Sequence, residues 1–161
     1  MSELLKPSVY IETTIISYLT AQPSKDEMIA NHQRITAEWW ANVRPQVECF
    51  VSPLVIGEAS RGDAVYAQKR LEAIADFVRL DVNEEIDALA DKYFEGLQIP
   101  EKAQVDAVHL AIAVWHKVDY VLSWNCKHLA SARVQKRLQQ INMRLKVHVP
   151  VVCTPEELME I

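Results

Sequence analysis

The sequence predicts a three-layer α/β/α fold around a five-stranded parallel sheet, and three observations carry the prediction. Five short β-prone runs alternate with stretches of helical periodicity, the order that builds parallel strands joined by helical crossovers. One of the helical stretches, residues 104–117, is apolar almost all round and belongs at the centre of a fold. Only three glycines occur in 161 residues, too few for a turn-dense all-β protein or for repeated Gly-rich phosphate loops.

Each element has a local reason. Residues 9–11 form a short strand closed by Glu12, and Thr13 and Thr14 behind it cap a helix. Ser24 to Glu27 has capping-box spacing, and Met28, Ile35, Trp39 and Val43 follow near helical period. Residues 47–51 read as the second strand. Ser52-Pro53 then pairs an N-cap with proline at the first helical position, and the short helix holding Glu58 stops at Gly62. Asp63 caps a helix with Ala67, Leu71 and Ile74 on one face, before a third strand at 77–80. Asn83 opens a helix through Ile86, Leu89 and Tyr93 that ends near Gly96. A polar loop with Pro100 precedes the apolar helix of Val105, Val108, Ile112 and Trp115. The fourth strand is 120–124, and a long helix from 129 to 145 has its seam at Val134, Leu138, Ile141 and Leu145. Residues 147–152 form the fifth strand, where Pro150 suits a sheet edge or strand end. Thr154-Pro155-Glu156-Glu157 caps a last short helix.

The length suits one domain spanning residues 1–161, and such a chain buries roughly 70% of its unfolded surface. Half the residues are apolar and 24% charged, which excludes wholesale disorder. The start, Met1-Ser2-Glu3, lacks a signal peptide's basic and apolar pattern, and no apolar run reaches the ~20 residues of a membrane span. The expected location is the cytoplasm, with no membrane partner. Cys49, Cys126 and Cys153 are odd in number and widely spaced, as free thiols in a reducing compartment would be. Cys126 and His128 have no second pair to complete a zinc site.

In a parallel sheet, ligands bind beyond the carboxyl ends of the strands. Glu12 closes the first strand there, Glu58 lies on the helix after the second, Asp106 opens the apolar helix, and Asn125 follows the fourth strand. Asp119 precedes that strand and faces the other side. Three acids and an amide at one mouth are all-oxygen donors, the set Mg²⁺ or Mn²⁺ prefers. Metal-assisted hydrolysis of a phosphodiester is the chemistry they suit. Each also has a plain structural reading. Glu12 and Asp106 could favour helix N-termini, a gain of ~0.3–1 kcal/mol; Glu58 could pair with Arg61; Asn125 could be a turn residue.

Four segments carry a resemblance. Tyr10-Ile11-Glu12-Thr13-Thr14-Ile15-Ile16-Ser17-Tyr18-Leu19 resembles the opening motif of PIN-domain ribonucleases, and Val55-Ile56-Gly57-Glu58-Ala59 their second motif. The third is matched by Val105-Asp106-Ala107-Val108-His109-Leu110-Ala111-Ile112-Ala113 and the fourth by the segment from Tyr120 through Asn125 to Ala130. Order and spacing agree over essentially the whole chain, and the nearest subgroup is the VapC-like toxins of type II toxin–antitoxin pairs. The resemblance implies an Mg²⁺- or Mn²⁺-dependent endoribonuclease with a five-stranded parallel sheet. Its partners would be an RNA substrate, a small antitoxin protein and a second copy in a homodimer. Glu12, Glu58 and Asp106 would be its acidic ligands, Thr14 a hydroxyl lining the site, Asn125 a further contact to metal, and Ser123 a neighbour. Two departures matter: the first acid is usually Asp, and the fourth motif usually offers an acid where Asn125 stands. Three carboxylates give −3 against the +4 of two divalent ions, so a tight first metal and a weaker second are expected. A catalytically weakened RNA- or protein-binding module is the alternative, and a metal-dependent phosphatase on a similar sheet is a third reading.

The net charge of −5 hides an asymmetry. Residues 120–155 hold no acid but contain Lys127, Arg133, Lys136, Arg137, Arg144 and Lys146, while the rest sets 11 Lys+Arg against 22 acids. Lys127, Arg133, Arg137 and Arg144 are candidates for a phosphate track, and a solvated helix face is the plainer reading. His109 and His116 suit packed or hydrogen-bonded helix positions better than a general base. Arg61-Gly62-Asp63 reads as a helix stop and N-cap. Trp39 and Trp40 divide between core and surface, where an exposed member would mark RNA stacking or an interface.

Overall fold

The computed structural model describes residues 5–161; residues 1–3, read above for the absence of a signal pattern, lie outside that range. Strands β1 (Ser8–Ile11), β2 (Glu48–Val51), β3 (Val78–Arg79), β4 (Tyr120–Leu122) and β5 (Val151–Cys153) form one sheet. It is parallel throughout, in the order β3-β2-β1-β4-β5. The central strand β1 has Val9, Tyr10 and Ile11 wholly buried, as a strand covered on both faces must be.

Among the described residues seven α-helices flank the sheet: α1 (Thr13–Thr20), α2 (Glu27–Asn42), α3 (Pro53–Ala59), α4 (Ala64–Ala73), α5 (Glu84–Gly96), α6 (Gln104–Trp115) and α7 (Ala132–Leu145). Helix α1 packs on α2, α3 and α4, and α5 packs on α6 and α7. The result is the three-layer α/β/α arrangement with five parallel strands. Helix α6 lies deep, with Leu110, Ala111, Ile112 and Ala113 fully buried, although its end residues Val105 and Trp115 are exposed.

The caps at Ser52, Asp63 and Asn83 stand where the sequence predicts them, each accepting a first-turn backbone N–H. Other boundaries differ, for local reasons. Helix α1 is capped by Glu12 rather than by Thr13 or Thr14, because its carboxylate reaches back to the Thr14 N–H at 3.2 Å. Asp26, not Ser24, caps α2; it accepts from Ile29 N at 3.0 Å, and the Ser24 hydroxyl accepts from Asp26 N. Helix α7 begins after Ser131 instead of at Leu129, since the Asn125 carbonyl takes the N–H groups of both Leu129 and Ala130 in a turn. Strand β5 starts only after Pro150, which has no N–H for the ladder. Thr154 and Glu157 make reciprocal capping bonds, but the segment after them closes into turns rather than a helix. Trp39 is fully buried with its Nε1 donating to Leu158 O at 3.0 Å, and Trp40 is half-buried against Phe77 and Arg44. Neither is the exposed aromatic that an interface reading required.

Candidate active site

From β1 the strand order steps to β2 and β3 on one side and to β4 and β5 on the other. A crevice therefore opens between the carboxyl ends of β1 and β4, the switch point where such sheets bind ligands. Glu12 follows β1 directly, its N–H still bonded to Leu122 O at 3.1 Å. Ser123, Trp124 and Asn125 follow β4. Helix α3 leaves the end of β2 and carries Glu58, while α6 runs back toward β4 and so brings its first turn, with Asp106, to the same edge.

Glu12 is only 4% exposed, a low figure for a carboxylate. Its Oε1 accepts from the Thr14 hydroxyl at 2.5 Å and the Ser123 hydroxyl at 2.6 Å, the short distances of charge-assisted bonds. Thr14 Oγ1 in turn accepts from Trp124 N at 2.9 Å, so one hydroxyl ties the ends of β1 and β4 together. The plain reading of Glu12 as a helix-end acid is thus realised, and it coexists with the carboxylate's place at the mouth. The extra methylene relative to Asp is taken up by folding the side chain back over α1.

Asp106 Oδ2 accepts from Asn125 Nδ2 at 3.0 Å, and Asn125 Oδ1 accepts from His128 N at 3.1 Å. The amide is engaged at both ends and acts here as a strut between Asp106 and the turn after β4. Burial pushes the Asp106 carboxyl above its ordinary pKa, and the negative charge of Glu12 pushes it further; His109, Asn125 and His128 only partly offset this.

Glu58 Oε1 accepts from Thr13 Oγ1 at 2.9 Å and lies 2.8 Å from His109 Nε2. It makes no bond to Arg61. Burial raises its pKa, but the His109 hydrogen bond, that ring's charge whenever protonated, the Thr13 bond and Arg61 outweigh burial and leave it below the ordinary value. His109 is buried on α6, with Nδ1 2.7 Å from the Tyr10 hydroxyl, which is itself 2.8 Å from Ser52 Oγ. His116 plays no part here; its Nε2 meets Asp81 O.

The sequence-predicted residues therefore gather in three groups: Glu12 with Thr14 and Ser123, Asp106 with Asn125, and Glu58 with His109. Among the described residues no three His, Cys, Asp or Glu side chains stand close enough to hold one ion together. Asp119 lies at the opposite edge, accepting from Ser8 N and Ser8 Oγ, as its position before β4 requires. Arg133 and Lys127 are exposed near the start of α7, Arg137 is half-buried, and Arg144 lies eleven residues beyond Arg133, about 16 Å at the helical rise. Sequence reasoning misses Tyr10, Ser52, Thr13 and His109 as a connected set. The one signal for His109 is its i,i+3 spacing from Asp106, which sets both toward one side of α6.

Sheet order and acid-lined crevice together define the class, a three-layer α/β/α domain with carboxylates at its topological switch point. Sixteen chains of solved structures match it. A chain in the structure of VapBC-1 from nontypeable Haemophilus influenzae has a TM-score of 0.54 and 16% identity, covering 92% of this chain and 98% of that one. A chain in the structure of VapBC2 from Rickettsia felis, bound to a DNA fragment from its promoter, has a TM-score of 0.51 and 11% identity, covering 91% and 98%. The fold is that of a VapC-like PIN domain. No family model and no curated protein matches the chain. Among the described residues no helix is long and apolar enough to cross a membrane.

Proposed function

We propose that the protein is an Mg²⁺- or Mn²⁺-dependent endoribonuclease, acting in the cytoplasm as the toxin of a toxin–antitoxin pair. The observation that carries this reading is that Glu12 and Asp106 are held by the same turn after β4, Glu12 by the Ser123 hydroxyl and Asp106 by the Asn125 amide two residues on, with the charge of Glu12 adding to the upward shift of Asp106. A divalent cation between them would relieve that repulsion, and the atoms the three acids would offer it are oxygens, the chemistry Mg²⁺ and Mn²⁺ accept. Glu12 and Asp106 would hold the ion from the two sides of the crevice. Glu58 is the third acid of this reading: its Oε2 has no hydrogen-bond partner among the described residues, and its side chain would have to move toward the other two to share one ion.

When bound, the ion supplies a water of lowered pKa and stabilises charge on the phosphate. The chain's own residues do the rest. Thr14 and Ser123 fix the Glu12 carboxylate, Asn125 fixes Asp106, and Thr13 and His109 fix Glu58. Lys127 and Arg133, exposed after the turn that holds Asn125, would gather RNA phosphates, with Arg137 and Arg144 continuing along α7. The shared fold with chains of VapBC structures supports a small antitoxin as partner, and we read the toxin as a homodimer, which light scattering tests.

A binding module without turnover is the second reading. It is favoured by the neutral Asn125 and by the three hydrogen bonds already on the Glu12 carboxylate. Cleavage of total RNA in Mn²⁺, Mg²⁺ or EDTA, beside Asp106→Ala and Glu58→Ala, separates the two. Turnover that needs Mn²⁺ and is lost in both variants supports the nuclease. Cleavage that persists in EDTA or in Asp106→Ala overturns it.

A further inference from the structure

We propose that His109 is a positioning residue for Glu58: an imidazole whose Nδ1 accepts from the Tyr10 hydroxyl and whose Nε2–H donates to Glu58 Oε1. The proposal deepens the nuclease reading, on which its catalytic consequence rests, but its structural content follows from counting protons.

Ser52 is fully buried, so its hydroxyl proton needs an acceptor inside the protein. Ser52 Oγ has two neighbours. Val55 N is a donor at 3.3 Å, leaving the Tyr10 oxygen at 2.8 Å as the acceptor for the Ser52 proton. The Tyr10 hydroxyl is itself buried, and burial raises its pKa far above neutrality, so it keeps its proton. With Ser52 donating to it, Tyr10 has one remaining partner for that proton, His109 Nδ1 at 2.7 Å. Nδ1 is then an acceptor, and the ring's own proton sits on Nε2, 2.8 Å from Glu58 Oε1.

The opposite direction fails the same count. If Nδ1 carried the proton and donated to Tyr10, Tyr10 would donate to Ser52. Ser52 Oγ would then accept twice and strand its own proton in the core. The chain Ser52 to Tyr10 to His109 to Glu58 thus runs one way. It starts at the N-cap of α3, crosses the central strand and α6, and returns to α3 at Glu58. Cap and carboxylate of one short helix are linked through two other elements, which fixes the rotamer of Glu58.

Two measurements test this. The first is the ¹⁵N resonances of the His109 imidazole in the metal-free protein at neutral pH, by long-range ¹H–¹⁵N correlation. A proton on Nε2 and a bare, accepting Nδ1 are expected; a proton on Nδ1 overturns the proposal. The second is a variant series with RNA and Mn²⁺. Positioning partners of metal-site ligands typically contribute roughly 10–100-fold, so His109→Leu should lower kcat by that order with KM nearly unchanged. His109→Gln, whose amide reaches the position of Nε2, should restore most of it. Tyr10→Phe should shift the ¹⁵N pattern toward mixed tautomers. Undiminished kcat in a folded His109→Leu, or no recovery in a folded His109→Gln, overturns the positioning role. If the wild type cuts no RNA, the nuclease reading fails, and the ¹⁵N pattern still decides the tautomer.

Discussion

Asp106→Asn separates the cost of the acidic mouth from its use. The Asp106 carboxyl is half-buried and raised by burial and by Glu12. An acid whose folded pKa exceeds its unfolded value, about 3.9 for Asp, disfavours folding once ionised. That cost is full above the folded pKa and vanishes below the unfolded one. The first-turn position on α6 returns ~0.3–1 kcal/mol to the charged form, yet the net direction of the shift shows that burial and Glu12 prevail. Asn is isosteric and keeps an oxygen for Asn125 Nδ2. The metal-free variant should therefore melt higher than wild type at pH 7, by an amount that shrinks as the pH falls toward 4. Mn²⁺ reverses the order. At 100 times its dissociation constant an ion that binds only the folded state adds about 2.7 kcal/mol. For a chain of this size each kcal/mol is worth roughly 2–4 °C, so wild type should gain about 5–11 °C and the variant little. Thermal melts with EDTA and with Mn²⁺ at pH 4, 5.5 and 7 give all the comparisons. A metal-free variant less stable than wild type at pH 7, or equal Mn²⁺ shifts in both proteins, refutes the reasoning.

Thr14→Val removes the hydroxyl that donates to Glu12 and accepts from Trp124 N. Leaving one such group unpaired costs about 1–3 kcal/mol, and denaturant melts should show a loss of that order together with reduced cleavage. Arg133→Ala with Arg137→Ala should weaken RNA binding and lower the slope of log K against log salt by about 0.7 for each phosphate no longer neutralised; an unchanged slope in a filter-binding titration counts against the phosphate track. Cys49 and Cys153 are buried, with thiols pushed up to about 12 by that burial, while Cys126 is exposed. Iodoacetamide should therefore label the native protein at Cys126 alone by mass spectrometry, and labelling of Cys153 without unfolding refutes that assignment.

The strand–helix alternation was legible because each element carries its own local signal. Ser52-Pro53, Asp63 and Asn83 mark helix starts by chemistry acting within three residues. Errors fell where two local signals compete. Ser24 and Asp26 are both good caps, and the one whose oxygen faces Ile29 N wins. At Leu129 an apolar residue suggested helix, but the Asn125 carbonyl captures two successive N–H groups. The acids were legible as charges beside strand ends, since the parallel topology alone sends those ends to one edge. Their pairing was not. Tyr10 and His109 are 99 residues apart, His109 and Glu58 are 51 apart, and Ser123 and Glu12 are 111 apart. Such contacts exist only once β1, α3, α6 and β4 are docked, and no periodicity encodes them.

The three carboxylates of the mouth are held, among the described residues, without a Lys or Arg partner, and the choice bears on the proposed function. Among the described residues no Lys or Arg comes within ion-pair distance of an acid, and the single base–acid contact is His109 with Glu58. Glu12, Glu58 and Asp106 are instead met by hydroxyls of Thr13, Thr14 and Ser123, the Asn125 amide and the imidazole N–H. Hydroxyl and amide donors hold a carboxylate in place without cancelling its charge. A lysine or arginine would stabilise the mouth more strongly and would also occupy the position a divalent ion needs. Six of the 17 basic residues lie on the segment from 120 to 155, on and near α7, all but the half-buried Arg137 exposed. The mouth thus keeps its negative charge while the segment after β4 carries six cations and no acid, the division that the proposed binding of a cation and a polyanion would need.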